Sequence, residues 1–471
     1  DLGYDDTLDD YVLTANISSV TSLDVEAKGI SDLTGIEGFT ALTFLHCQNN
    51  QLTTLDMSSN TALDNLSTGN NQLTSLDLSA NTALTYLDVH NNQLTSFDVS
   101  ANTALTELQC SDNPFTSLDL SGNTALGYLY IANNQLTSLT LSSNTALTVL
   151  SCYGNALTSL DVSANTALTY LNIEENQLTS LNVNNNTNLT ELRLNYNQLT
   201  SLDVSNNTAL SRFEIVDSDF TSLDVSLNTA LTLLNVEGNQ LTTLDVSNNT
   251  NLDELYCQNN QLTSLDVSSN TALTNLECGS NSLTSLDVSN NTLLTQLECN
   301  HNQLTSLDVS SNTALSHLVC QANQLTTLDV SSNTALTYIN CGEQLITSLD
   351  VSANTALGDL HCAQSQLTTI DISNNTNLAD VNLNNNQLTS LDVGSNTALQ
   401  HLRCRDNQLT YLNMKNGITD QLSTFDATGN SSLTCIETLD PAYATANWTY
   451  ANGNIDEGVE FSVVCAPEGY T

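Results

Sequence analysis

Residues 84–104 read LTYLDVHNNQLTSFDVSANTA. Leu84, Leu87 and Val89, then Leu94, Phe97 and Val99, repeat one apolar spacing twice, and each half closes on an asparagine, Asn92 or Asn102. The leading leucine recurs every 21 residues from Leu42 to Leu399, eighteen copies without an insertion. Periodicity this strict means stacked copies of one unit, each burying its apolar side against the next. Two strand-plus-turn halves per copy leave little room for a helix. The expected fold class is therefore an all-β-dominated repeat solenoid with strands on both faces and capped ends.

With each copy numbered from its first leucine, the invariant columns become visible. Position nine is asparagine in fifteen of eighteen copies, with Ser218, Gln344 and Ser365 as exceptions, and position nineteen is asparagine in the first seventeen, from Asn60 to Asn396. Such amides can satisfy backbone groups where the chain leaves a strand.

The pattern of Leu84, Leu87, Val89 and Asn92 resembles that of leucine-rich repeats, and the resemblance covers about residues 20–434. Residues 20–41 form a 22-residue copy in which ISDLTGIEGFTAL, continuing to Leu42, resembles the repeats of bacterial internalins. An irregular acidic stretch before it is expected to cap the core. The segment from Cys435 to Cys465, CIETLDPAYATANWTYANGNIDEGVEFSVVC, resembles the C-terminal cap of secreted leucine-rich repeat proteins of marine flavobacteria. Such proteins commonly carry a sorting domain after the cap, so the resemblance implies one that has been removed or a chain that is a fragment. The domain reading is an N-terminal cap and first copy over 1–41, eighteen repeats over 42–419, and a degenerate repeat with a disulfide-bonded cap over 420–471. Leucine-rich repeats curve because convex-side helices are wider than strands. With strands on both sides the mismatch fades, and a low-curvature rod of roughly 85 Å is expected at about 4.8 Å per turn.

Six Lys and Arg stand against 51 Asp and Glu, a formal charge of −45. This polyanion repels nucleic acid and anionic membranes, leaving cations, neutral sugars and basic protein patches as partners. No apolar run is long enough to span a bilayer, which argues against membrane insertion, and no signal-peptide pattern stands at Asp1, so the chain reads as mature and processed. Ten of twelve cysteines occupy position six, elsewhere Val, Ile or Leu: Cys47, Cys110, Cys152, Cys257, Cys278, Cys299, Cys320, Cys341, Cys362 and Cys404. They are expected as buried free thiols rather than metal ligands or a disulfide ladder. Cys435 and Cys465 lie outside that column and are expected to pair, which points to an extracellular or cell-surface location.

On the second half of each copy the outward residues are monotonous. Position fifteen is Asp in fifteen of eighteen copies, and carboxylates stacked about 4.8 Å apart repel by roughly 1 kcal/mol in water. Hydrogen bonds from the neighbouring Ser and Thr columns are the preferred offset. Ca²⁺ bridging, for example at Asp266, Asp287 and Asp308, is the weaker alternative, and no other cofactor is expected. An ice-binding row is disfavoured by the strongly hydrated carboxylate at its centre.

The first half behaves oppositely. Positions three, five, seven and eight vary, and they hold all six histidines and all four arginines. In leucine-rich repeats this surface binds ligands. Tyr86, Tyr128 and Tyr170 share position three in alternate copies, about 10 Å apart, with Tyr130 and Tyr153 beside them, an interval suited to stacking on sugar rings. His361, His401, Arg403 and Arg405, with Lys415, read as the one positive area, able to receive an acidic group. Glu191, Arg193, Arg212 and Glu214 read as a self-neutralised quartet. Glu277 and Glu298 sit at glycosidase-like spacing, but the repeat imposes that spacing and supplies no pocket, so no enzymatic activity is expected. The reading is a secreted or cell-surface adhesion and recognition protein binding a polysaccharide or protein ligand. The alternative is a self-associating structural protein of surface layers or filaments.

Overall fold

The structure, a computed structural model, describes residues 12–465. Most of the acidic N-terminal stretch expected to cap the core, residues 1–11, lies outside the described residues. The chain divides into two compact units, one ending at Leu231 and the other starting at Thr232. Each unit is a parallel β-solenoid in which one three-residue strand per turn pairs with its equivalent in the next turn.

In the first unit these strands run from Ser22–Asp24 and Phe44–His46 to Glu191–Arg193 and Arg212–Glu214. In the second they run from Leu233–Asn235 and Glu254–Tyr256 to His401–Arg403 and Thr424–Asp426. The register never slips: Leu66 lies beside Leu87, Leu87 beside Leu108, Leu276 beside Leu297. It cannot slip cheaply, because a one-residue shift would turn the central leucine outward.

One turn shows where the core sits. Leu252, Leu255, Cys257, Leu262 and Val267 are fully buried and Leu265 nearly so. Each leucine placed this way is worth roughly 1.5–3 kcal/mol relative to exposure. On the second side, among the described residues, ladder pairing is confined to a four-stranded parallel sheet at the C-terminal end: Ser390–Asp392, Tyr411–Met414, Cys435–Thr438 and Glu460–Ser462.

Elsewhere on the second side, side chains complete the backbone bonding. Asn291 Nδ2 donates to Val267 O and Asn270 O of the preceding turn at 3.0 and 2.8 Å. The position-nine amides work both ways. Asn302 donates to the Cys278 and Cys299 carbonyls, while its Oδ1 accepts from Leu283 N–H at 2.9 Å. Gln344, one of the exceptions in that column, still accepts from Leu325 N–H and donates to Cys320 O.

Eight column cysteines are buried free thiols. Cys341 and Cys362 correct the expectation for the other two, for they are bonded to each other with Cα atoms 5.0 Å apart. Parallel stacking keeps thiols from converging on one metal, yet it sets successive position-six side chains within disulfide reach. Cys435 and Cys465 pair as expected. They hold strand Glu460–Ser462 to the preceding strand. The cap is completed by helix Pro441–Asn447, started by Asp440, whose carboxylate accepts from Tyr443 N–H, and by Trp448 packed on Phe425 with ring centroids 4.5 Å apart. Among the described residues, no helix is long and apolar enough to cross a membrane.

Candidate recognition surface

The strand ladder satisfies its own backbone, so side chains at positions three and five stand outward and are not needed to complete it. In the first unit the register places Tyr86, Glu107, Tyr128, Val149 and Tyr170 in one row, and Asp88, Gln109, Tyr130, Ser151 and Asn172 in the next. Tyr128 is 44% exposed, while Tyr86, Tyr130, Tyr153 and Tyr170 are half-buried. Burial together with Asp88 and Glu107 pushes the Tyr86 phenol up to about 12. Burial and then Glu107, with Tyr170 and Tyr128 close by, also raises Tyr130. These phenols therefore remain neutral hydrogen-bonding groups throughout the physiological range.

Next to this row lies a polar knot. Asp88, only 5% exposed, accepts from Ser67 Oγ, from His90 N–H and from His90 Nδ1 at 2.9, 3.0 and 2.6 Å. Asn70 Nδ2 lies 2.9 Å from His90 Nε2. The Asp88 hydrogen bond raises the His90 pKa. Gly69 is required here, since a Cβ on it would lie 2.3 Å from the His90 ring.

The expected charge quartet forms. Arg193 pairs with Glu191 at 2.5 Å and lies 3.7 Å from Glu214, and Arg212 pairs with Glu214 and lies 3.6 Å from Glu191. The expected positive area is more divided. His361 and Arg403 both face Asp380, at 3.5 and 2.7 Å, Arg405 pairs with Asp406 at 2.9 Å, and His401 Nδ1 lies 3.0 Å from Thr424 Oγ1. Lys415 follows strand Tyr411–Met414 on the second side, where it pairs with Glu437. Each of its Arg and Lys members is thus already neutralised by a carboxylate.

Two features escaped the sequence reading. His317 and Tyr338 stack at 4.4 Å, and His361 meets Tyr338 edge-on at 5.5 Å, a continuous aromatic row across three turns. Positions three and five of successive copies carry these residues, so their register is present in the sequence. Position eight, grouped with the freely varying columns, is held in the left-handed region in copy after copy, from Asn49 and Asn70 to Asn385 and Asp406. That explains its many Asn, Asp and Gly residues. Tyr196 adopts the same conformation while 52% exposed, a bulky aromatic kept in a costly backbone position.

On the second side, Asp266, Asp287 and Asp308 each accept the N–H of the serine two residues on, Ser268, Ser289 and Ser310, at 2.9 Å. Hydrogen bonds from these serines lower the aspartate pKa values. Serine donors are thus one offset to carboxylate repulsion. Among the described residues, no group of three or more His, Cys, Asp or Glu side chains is arranged to hold a metal ion. Glu277 and Glu298 lie side by side on open sheet with Gln296 Nε2 bonded to both, and burial followed by Glu298 raises the Glu277 pKa.

No protein-family model matches the chain. Internalin J of Listeria monocytogenes serotype 4b (strain F2365) is 46% identical over 52 residues, a stretch that spans 11% of this chain and 6% of that protein. The solved functional domain of internalin J from Listeria monocytogenes, which includes a cysteine ladder, is 37% identical, covers 74% of this chain and 72% of that one, and superposes with a TM-score of 0.61. The Arabidopsis receptor kinase HAESA, solved with the peptide hormone IDA and the co-receptor SERK1, shares the fold at 18% identity and a TM-score of 0.66, covering 96% of this chain and 92% of that one. The unbroken 21-residue register and the column of buried cysteines are thus features of a known group, and the chain belongs to the bacterial leucine-rich repeat proteins that include the internalins.

Proposed function

We propose that this is an extracellular or surface-attached recognition protein, without enzymatic activity, that binds a protein or polysaccharide partner through the variable strand side. One observation carries the reading: the variable positions three, five, seven and eight on that side hold every histidine and arginine, and position three carries the row Tyr86, Tyr128 and Tyr170. Among the described residues no other ring packs against those three tyrosines, and Tyr128 is the exposed one. The receptor kinase solved with a peptide hormone and a co-receptor supports a protein partner ahead of a polysaccharide. The two disulfides fit an oxidising location.

The test compares the protein with a Tyr86→Ala/Tyr128→Ala/Tyr170→Ala variant on a glycan array and on an array of displayed extracellular proteins. Binding that weakens at least tenfold in the variant, with unchanged melting, is expected for an aromatic hot spot. Silence of both proteins on the glycans would remove the polysaccharide half of the reading. Equal binding by both would remove the tyrosine row. Assembly that grows with concentration in light scattering would favour a structural role instead.

A further inference from the structure

The C-terminal cap holds a cleft that the variable side does not use. It has a volume of about 450 Å³ and is lined by Thr445, Trp448, Tyr450, Ile455, Val459 and Phe461, with Asp456 and Glu460 contributing polar atoms. Trp448 forms its floor at 5% exposure, whereas Tyr450 stands at the mouth, 65% exposed. Asp456 is already committed, accepting from Gly429 and Asn430 N–H. Glu457 and Glu460 are exposed and form no ion pair among the described residues.

Beside the cleft runs Glu460–Ser462, the last strand of the four-stranded sheet. Its inner edge pairs in parallel with Cys435–Thr438, and Glu460 N–H donates to Thr434 O. Strand alternation then turns the Phe461 N–H and C=O to the outer edge, where no strand lies among the described residues. Natural sheets usually cover or blunt such an edge. Here it adjoins an aromatic cleft, Val463 and Val464 are exposed next to it, and the sequence has no Lys or Arg after Lys415.

We propose that this edge and cleft are a docking site for an extended segment of a partner protein. The segment adds as a strand along Phe461, places one aromatic or aliphatic side chain in the cleft, and sets Lys or Arg residues against Glu457 and Glu460. Backbone pairing supplies affinity in this mode and the pocket selects the side chain, while the uncompensated carboxylates select its charge. The site is independent of the variable side, and either can fail without the other.

Trp448 is the only tryptophan in the 471 residues, so its emission reports on the cleft alone. The probe is a blocked peptide, lysine-valine-tyrosine-valine-lysine, titrated into the full chain up to about 1 mM, a range suited to a small interface. A saturable shift in Trp448 emission is expected. It should weaken at least tenfold when the lysines become glutamates, and again when alternate peptide amides are N-methylated, which removes edge pairing. The Glu457→Gln/Glu460→Gln variant should weaken the lysine peptide several-fold with no change in melting. Absence of a shift overturns the proposal. So does equal binding of all three peptides.

Discussion

The two sides of each turn share one period and one core, yet one is nearly invariant and the other varied. On the variable side, neighbouring strands satisfy each other's N–H and C=O groups, and outward side chains such as Asp88, Asn172 and Asn235 accept the N–H two residues on. On the second side the ladder is missing until Ser390, and asparagine and aspartate amides and carboxylates take its place. Uniformity therefore marks where side chains complete the backbone. Variety marks where the backbone completes itself.

The sharpest way to break this comparison is to remove one amide from each side. Asn291→Ala leaves two buried carbonyls, Val267 O and Asn270 O, without that donor, and should lower stability by about 2–3 kcal/mol in urea unfolding. Gln296→Ala on the strand side should change it by less than about 0.5 kcal/mol. Similar losses from both would end the distinction.

Asp88 is a nearly buried carboxylate on the variable side with three donors. Its hydrogen bond raises the His90 pKa, so this contribution is complete below the unfolded histidine value and is lost as pH rises through the higher folded one. Asp88→Asn should lower the His90 pKa in an NMR titration and flatten that slope. An unchanged titration would mean that Asp88 does not hold the ring.

For Asp266 the sign is opposite. Serine donors lower its folded pKa, so its contribution is present above the unfolded carboxylate value and disappears as pH falls through the folded one. Ser268→Ala should move the Asp266 titration back up toward the ordinary range, by NMR of the carboxyl carbon. No movement would remove the serine hydroxyl from the account. The smallest expected effect is that of calcium: chelator or added Ca²⁺ should leave the melting temperature unchanged. A rise of several degrees would reinstate a cation on the aspartate column.

The repeat, its buried columns, the charge quartet and the Cys435–Cys465 bond were legible because each is a matter of register, and register is a matter of counting. What counting could not supply is conformation and lateral contact. The second side keeps the strand grammar of Leu94, Phe97 and Val99, yet turns such as this one form no ladder there. The left-handed backbone under Tyr196 has no local signature in a tyrosine. The pairing of Cys341 with Cys362 depends on side chains meeting between turns. At the candidate site, sequence spacing found the tyrosine row, but it missed the His317, Tyr338 and His361 contacts because spacing sets which residues are neighbours and not how their rings turn toward one another.

The reach of the position-nineteen asparagine limits how the molecule can change. The Asn312 side-chain amide donates to Val288 O and Asn291 O of the turn before, and Asn333 repeats the pattern on Val309 and Asn312. No bond in this column depends on how many turns lie above or below. A whole 21-residue segment could therefore be deleted from the interior of a unit, or duplicated there, and every cut amide would find an identical pair of carbonyls waiting. The column works as a splice signal written in hydrogen bonds, and it makes the length of this protein a quantity that recombination can set in single steps.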